Sequence, residues 1–146
     1  MSTQVSWYCP ERVVYVYVSG ILTIEQIAEG HRRNIELMES VSYAHKLHFI
    51  FDSSAMKQGP TNFLEIRRAG REFFAHPRLG WSIGVGDTTL IRFVSSTIAQ
   101  LTGVKHRGFH YLEQGIEFLQ AVDLTLPELS QRYPESEALY TIEAKD

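Results

Sequence analysis

The sequence contains a single cysteine, Cys9, among 146 residues. One thiol can neither close a disulfide within the chain nor build a cysteine-based zinc site, and it suits a reducing compartment, so the cytoplasm is the expected location. Charge of neither sign prevails: 14 Lys and Arg face 17 Asp and Glu, a formal net charge of −3. Without a broad electropositive field, nucleic acid is not an expected partner. No apolar run approaches the roughly 18 residues of a membrane span, and the opening MSTQVSWYCPERVV has no basic start followed by an apolar stretch. Export and membrane insertion are not expected. Internal repeats and low-complexity segments are also missing. What is present, a chain of ordinary domain length that is 44% hydrophobic, fits one globular domain with a real core.

Arg12 to Ser19 reads RVVYVYVS, an apolar density that predicts a central strand covered on both faces. Gln4 to Tyr8 lies a hairpin-length gap before it and reads as an antiparallel edge strand. Thr23-Ile24-Glu25-Gln26 has the spacing of a capping box. Ile24, Ile27, Ala28, His31, Ile35 and Met38 then recur at helical spacing, with Glu29 and Arg33 as a surface pair. Lys46 to Asp52 (KLHFIFD) is a second buried strand, and Asn62-Phe63-Leu64-Glu65 opens a helix with Phe63, Ile66, Gly70, Phe73 and Phe74 inward, ended by His76-Pro77.

Trp81 to Gly86 is the next strand. Asp87 caps a helix with Leu90, Ile91, Val94, Ile98 and Leu101 inward, stopped by Gly103. Arg107 to Leu112 reads as the last strand and Gln114 to Val122 as the last helix. From Asp123 onward Pro127 and Pro134 interrupt the pattern, and the ending PESEALYTIEAKD is polar and acidic. The expected division is an α/β domain over 1–122 and an extension over 123–146, docked or partly disordered. Alternating strands and helices imply four mainly parallel strands, the antiparallel N-terminal edge strand and about four helices.

VYVSGILTIEQI (Val14 to Ile27), FIFDSSAM (Phe49 to Met56), SIGVGDTT (Ser82 to Thr89) and FHYLEQGIEFLQ (Phe109 to Gln120), in this element order, resemble the STAS fold of anti-sigma-factor antagonists. In particular they resemble its SpoIIAA-like group, sometimes placed with lipid-binding domains under a STAS/Sec14 heading. The resemblance covers about residues 4 to 122. It implies a phosphoacceptor serine at the N-terminus of the second helix, where free backbone N–H groups and the helix dipole favour phosphate. Asp52-Ser53-Ser54 falls too early for that role, at the strand end, and Pro60 stands where the family's motif has Asp. Thr61, beside Asn62, is the only hydroxyl at the helix mouth and becomes the candidate phosphoacceptor. A plain turn, with Ser53, Ser54 and Asn62 satisfying local backbone groups, is the favoured reading.

Gly84-Val85-Gly86-Asp87 suggests a phosphate cradle but lacks the third glycine and does not follow the first strand, so tight strand-to-helix packing explains it better. His45 and His48, and separately His106 and His110, suggest metal ligands. Four residues of strand span about 13 Å, however, so the second pair cannot share an ion, and surface or strand-edge positions are expected. No activated-nucleophile elbow appears. Arg67, Arg68 and Arg71 form a basic face on the second helix that could receive an acidic partner or a lipid headgroup, although Glu65 and Glu72 stand near enough to pair with it.

The expectation is therefore a non-catalytic regulatory or interaction module, homodimeric and without a cofactor, that docks a protein partner through the loop from Ala55 to Asn62 and the second helix. The alternative is a binder of a small apolar or lipid ligand in a pocket that includes Phe63, Phe73, Phe74 and Phe93. An interaction module predicts an exposed patch around the second helix, and a ligand binder predicts a largely apolar cavity.

Overall fold

The computed structural model describes residues 2–41, 45–86, 105–129 and 138–143. Its elements in chain order are β1 (Ser2–Cys9), β2 (Val13–Ile21), α1 (Ile24–Ser40), β3 (Leu47–Gln58), α2 (Phe63–Phe74), β4 (Leu79–Val85), β5 (Lys105–Phe109), α3 (Leu112–Val122) and β6 (Tyr140–Glu143). The helix expected after Asp87, with Phe93 in it, lies outside the described residues. The strands form one sheet in the order β5-β4-β3-β2-β1-β6, with β2 to β5 parallel and β1 and β6 antiparallel.

The four parallel strands and the antiparallel N-terminal strand are as the sequence implies, but β1 is not an edge. Tyr140–Glu143 pairs along its outer side, with Val5 opposite Tyr140 and Thr3 opposite Ile142. The reason is legible in the alternation of YTIE: Tyr140 and Ile142 turn their side chains into the same cluster as Val5, and the ladder supplies the backbone hydrogen bonds that an isolated tail would lack.

A second correction concerns Asp52-Ser53-Ser54, expected at a strand end. β3 continues through Gln58, because β2 keeps pairing with it across two register shifts, Ser19 opposite Ala55 and Ile21 opposite Gln58. The polar residues are part of a strand that bulges rather than of a turn.

Strand alternation divides the core between two faces. Val14, Val16, Val18, Phe49 and Phe51 face α1 and α2, where Met38, Phe73 and Phe74 meet them. Tyr15, Ile50, Ile83 and Val85 face α3, through Ile116 and Leu119. Gly115 permits the close approach of α3, since a Cβ there would lie 2.9 Å from the Ile83 side chain.

Both capping motifs form as read. The Thr23 hydroxyl accepts from the Gln26 N–H at 3.2 Å while the Gln26 side chain accepts from the Thr23 N–H at 2.9 Å, and Asn62 Oδ1 accepts from the Glu65 N–H at 3.2 Å. Replacing Thr23 with alanine should cost about 1 kcal/mol. Urea denaturation reads this directly, and an unchanged midpoint with an unchanged slope would show that the cap contributes nothing.

Candidate functional site

Between the sheet and the two helices on its first face lies a cavity of about 120 Å³. Its floor is set by strand alternation. Val16 of β2 sits opposite Phe51 of β3, and Phe51 opposite Gly84 of β4, so these residues, with Val18 and Ser53, share the cavity face. The floor crosses β2 and β3 near their middles and β4 near its carboxyl end. The walls follow helical spacing: α1 presents Ile27, Gly30, His31 and Asn34, and α2 presents Ile66, Arg67 and Phe74. Thr3 and Tyr140 close the side nearest β1 and β6, and His106 lies on the β5 side.

The few polar groups on this apolar lining have particular environments. Asn34 is only 2% exposed. Its Oδ1 accepts from the Tyr140 hydroxyl at 2.5 Å, and its amide NH₂ makes no hydrogen bond among the described residues. Burial holds the Tyr140 phenol strongly in its neutral form, with its pKa raised, and the Arg33 guanidinium lies 4.4 Å above its ring.

His31 stacks on Phe73 at 4.7 Å and meets Phe74 edge-on at 5.4 Å, and its Nδ1 is buried without a hydrogen-bond partner. Burial lowers its pKa to about 4. His106 bonds Ser82 Oγ through Nδ1 at 3.1 Å, and burial, outweighing a backbone hydrogen bond with Ser82, also takes its pKa to about 4. Both rings are neutral at pH 7. Arg67 makes no ion pair among the described residues, and it is the one charged side chain among the described residues of the lining.

The residues singled out in the sequence are distributed unequally. Phe74 and Arg67 line the cavity, and Phe73 lies fully buried beneath His31. Phe63 opens α2, and Phe93 lies outside the described residues. Arg68 and Arg71 are exposed, and neither pairs with Glu65 or Glu72. Thr61 is exposed one residue before the Asn62 cap.

The sheet separates the members of Asp52-Ser53-Ser54. Ser53 lines the cavity, whereas Asp52 accepts from Tyr15 at 2.5 Å and from the Ser54 hydroxyl at 2.6 Å. Gly86, which follows β4, has φ +117°, and a Cβ there would crowd Ser53 and Ser54 at 3.1 Å; the helix expected to follow it lies outside the described residues.

The sequence reading missed Asn34 and Tyr140. Their signals were a polar residue on the inward stripe of α1 and an aromatic in an otherwise polar tail.

A second polar cluster sits at the opposite end, where β2 and β3 begin. Trp81 N–H donates to His48 Nδ1 at 2.9 Å, so the ring carries its proton on Nε2 and donates it to Asp123 Oδ2 at 2.8 Å. Burial keeps His48 neutral, with its pKa lowered despite Asp123. Arg12 donates to Asp123 at 3.2 Å and to the Thr125 carbonyl at 3.1 Å. Burial works against the Asp123 carboxylate, yet bonds from Thr125 and His48 hold its pKa far below the usual range. His48 is therefore no surface histidine: it is 4% exposed, and a Cβ on Gly80 would run into its ring. Among the described residues no group of three or more His, Cys, Asp or Glu is arranged to hold a metal, and no helix is long and apolar enough to cross a membrane.

No family model and no curated protein matches the chain. Among solved structures it is similar to an uncharacterised protein of the DUF3478 family, described as having a SpoIIAA-like fold, from Shewanella loihica PV-4. The TM-score is 0.56 at 11% sequence identity, over 80% of this chain and 91% of that one. The chain thus has a SpoIIAA-like fold, with a mixed six-stranded sheet.

Proposed function

We propose that the protein is a binding module for a small, largely apolar ligand held between α1, α2 and the sheet. The observation that carries this reading is the cavity itself, apolar on most of its lining and with a few inward polar groups, the usual composition of a small-molecule site. Its size also selects: an apolar cavity of about 150 Å³ binds benzene, so 120 Å³ suits one ring or a short chain rather than a long-chain lipid.

Titration with benzene or toluene, followed by ¹H–¹³C NMR of methyl groups, tests this reading. Shifts should concentrate on Val16, Val18, Ile27 and Ile66, and Val18→Phe, which puts a ring into the cavity, should abolish them while the circular dichroism spectrum is retained. Absence of shifts in the wild type at millimolar probe would end the proposal.

A second reading has its own support. Leu64 is 65% exposed, and it shares one stripe of α2 with Arg68 and Arg71 at helical spacing. An apolar contact flanked by two exposed arginines suits an acidic protein partner, the interaction module expected from the sequence. Leu64→Asp should then abolish association with such a partner while leaving the probe titration unchanged.

A further inference from the structure

We infer that the ligand of this cavity is a small monocarboxylic acid, aromatic or short-chain, whose carboxylate is held by Arg67. The inference rests on the cavity being a binding site, as proposed above, and it comes from the distribution of charge on the lining. No Asp, Glu or Lys is present among the described lining residues, and Arg67 is the lone ion. It has no ion-pair partner among the described residues, so no protein carboxylate competes for it.

A cation beside an apolar wall attracts an anion more strongly than it would in water, because the low local dielectric leaves the charge poorly screened. The planar guanidinium fork also matches a carboxylate in two parallel hydrogen bonds. The histidines do not share the charge at neutral pH, since burial keeps both in the neutral form.

Asn34 supplies a second, independent pointer toward a polar ligand group. It is more than nine-tenths buried on the cavity wall, its carbonyl is occupied by Tyr140, and its amide NH₂ has no partner among the described residues. A ligand oxygen in the cavity would accept from it. The cavity volume then limits the apolar part to about six carbon atoms, by comparison with a somewhat larger cavity that holds benzene.

The experiment compares acids with neutral analogues of the same size, benzoate with benzyl alcohol and hexanoate with hexan-1-ol, by isothermal titration calorimetry at pH 7. The expected result is that each acid binds about tenfold or more tightly than its alcohol. Arg67→Gln should remove that preference by weakening the acids about tenfold more than the alcohols, Arg67→Lys should keep part of it, and Arg68→Gln on the outward stripe should keep all of it. Equal binding of acid and alcohol by the wild type would overturn the carboxylate inference while the apolar-cavity reading stands. A preference that survives Arg67→Gln would overturn the assignment to Arg67. Failure of all four compounds to bind would remove the cavity reading and this inference with it.

Discussion

Replacing Asp123 with alanine is expected to destabilise the protein by about 3 kcal/mol, toward the lower end of what breaking a buried ion pair costs. The carboxylate is the meeting point of two groups that lie far away in sequence, the Arg12 guanidinium, with only 5% of its side chain exposed, and the His48 Nε2–H. Removing it leaves a buried cation and a buried donor facing a void. The penalty is held down because Arg12 keeps its bond to the Thr125 carbonyl and because Asp123 itself is 20% exposed.

The loss should extend beyond the contact. Asp123 also orders the turn after α3 through bonds from the Thr125 N–H at 3.0 Å and from its hydroxyl. That turn leads to Leu129, whose carbonyl accepts from Tyr8. Urea denaturation measures the first effect, and amide exchange at residues 123–129 should accelerate in the variant. A change below about 1 kcal/mol would show that the cluster behaves as a surface pair.

Acidification from pH 7 to pH 4 should remove about 3 kcal/mol of stability for each of His31 and His106. Both rings titrate near pH 4 in the folded protein and near pH 6.5 when unfolded. Between these values the unfolded chain binds protons that the native state refuses. The stability they contribute is therefore fully present above pH 6.5 and is lost as the pH falls toward 4. His48, lowered by burial, acts in the same direction. Asp123 does not contribute in this window, because a carboxyl held far below its ordinary range keeps its stabilisation until the solution is much more acidic.

The combined loss is a large part of the roughly 5–15 kcal/mol that stabilises a typical domain, so the urea midpoint should fall steeply below pH 6. His31→Phe, which keeps the stack on Phe73 and removes the titrating nitrogen, should flatten that slope by about one proton. A pH-independent midpoint between 6.5 and 4.5 would contradict both assignments.

Much of this architecture was legible because it is local. The Thr23 box, the Asn62 cap and the apolar runs of β2 and β3 are written within a few residues, and each forms where the pattern indicates. The cavity was legible only in part. Phe74 could be placed on the inner side of α2 by periodicity, whereas Arg67 read as one of three arginines on the outward face and instead lines the cavity; Asn34 was missed because a buried amide makes sense only with Tyr140, 106 positions later. His48 was misjudged for the same reason, its partner Asp123 lying 75 positions away. The extension of β3 through Ser53 and Ser54 was hidden because polarity at a strand end reads as a turn, while the register shifts that continue the ladder depend on β2.

The late arrival of β6 also orders events in time. The parallel strands and α1 can assemble from neighbouring stretches soon after they are made, since domains generally order from the N-terminus during synthesis. Tyr140, which closes one side of the cavity and bonds Asn34, is among the last described residues to leave the ribosome, and that bond spans 106 positions. A nascent chain halted before residue 138 would therefore carry most of the sheet and no finished cavity. The cavity would be completed in a single late step, when β6 docks against β1.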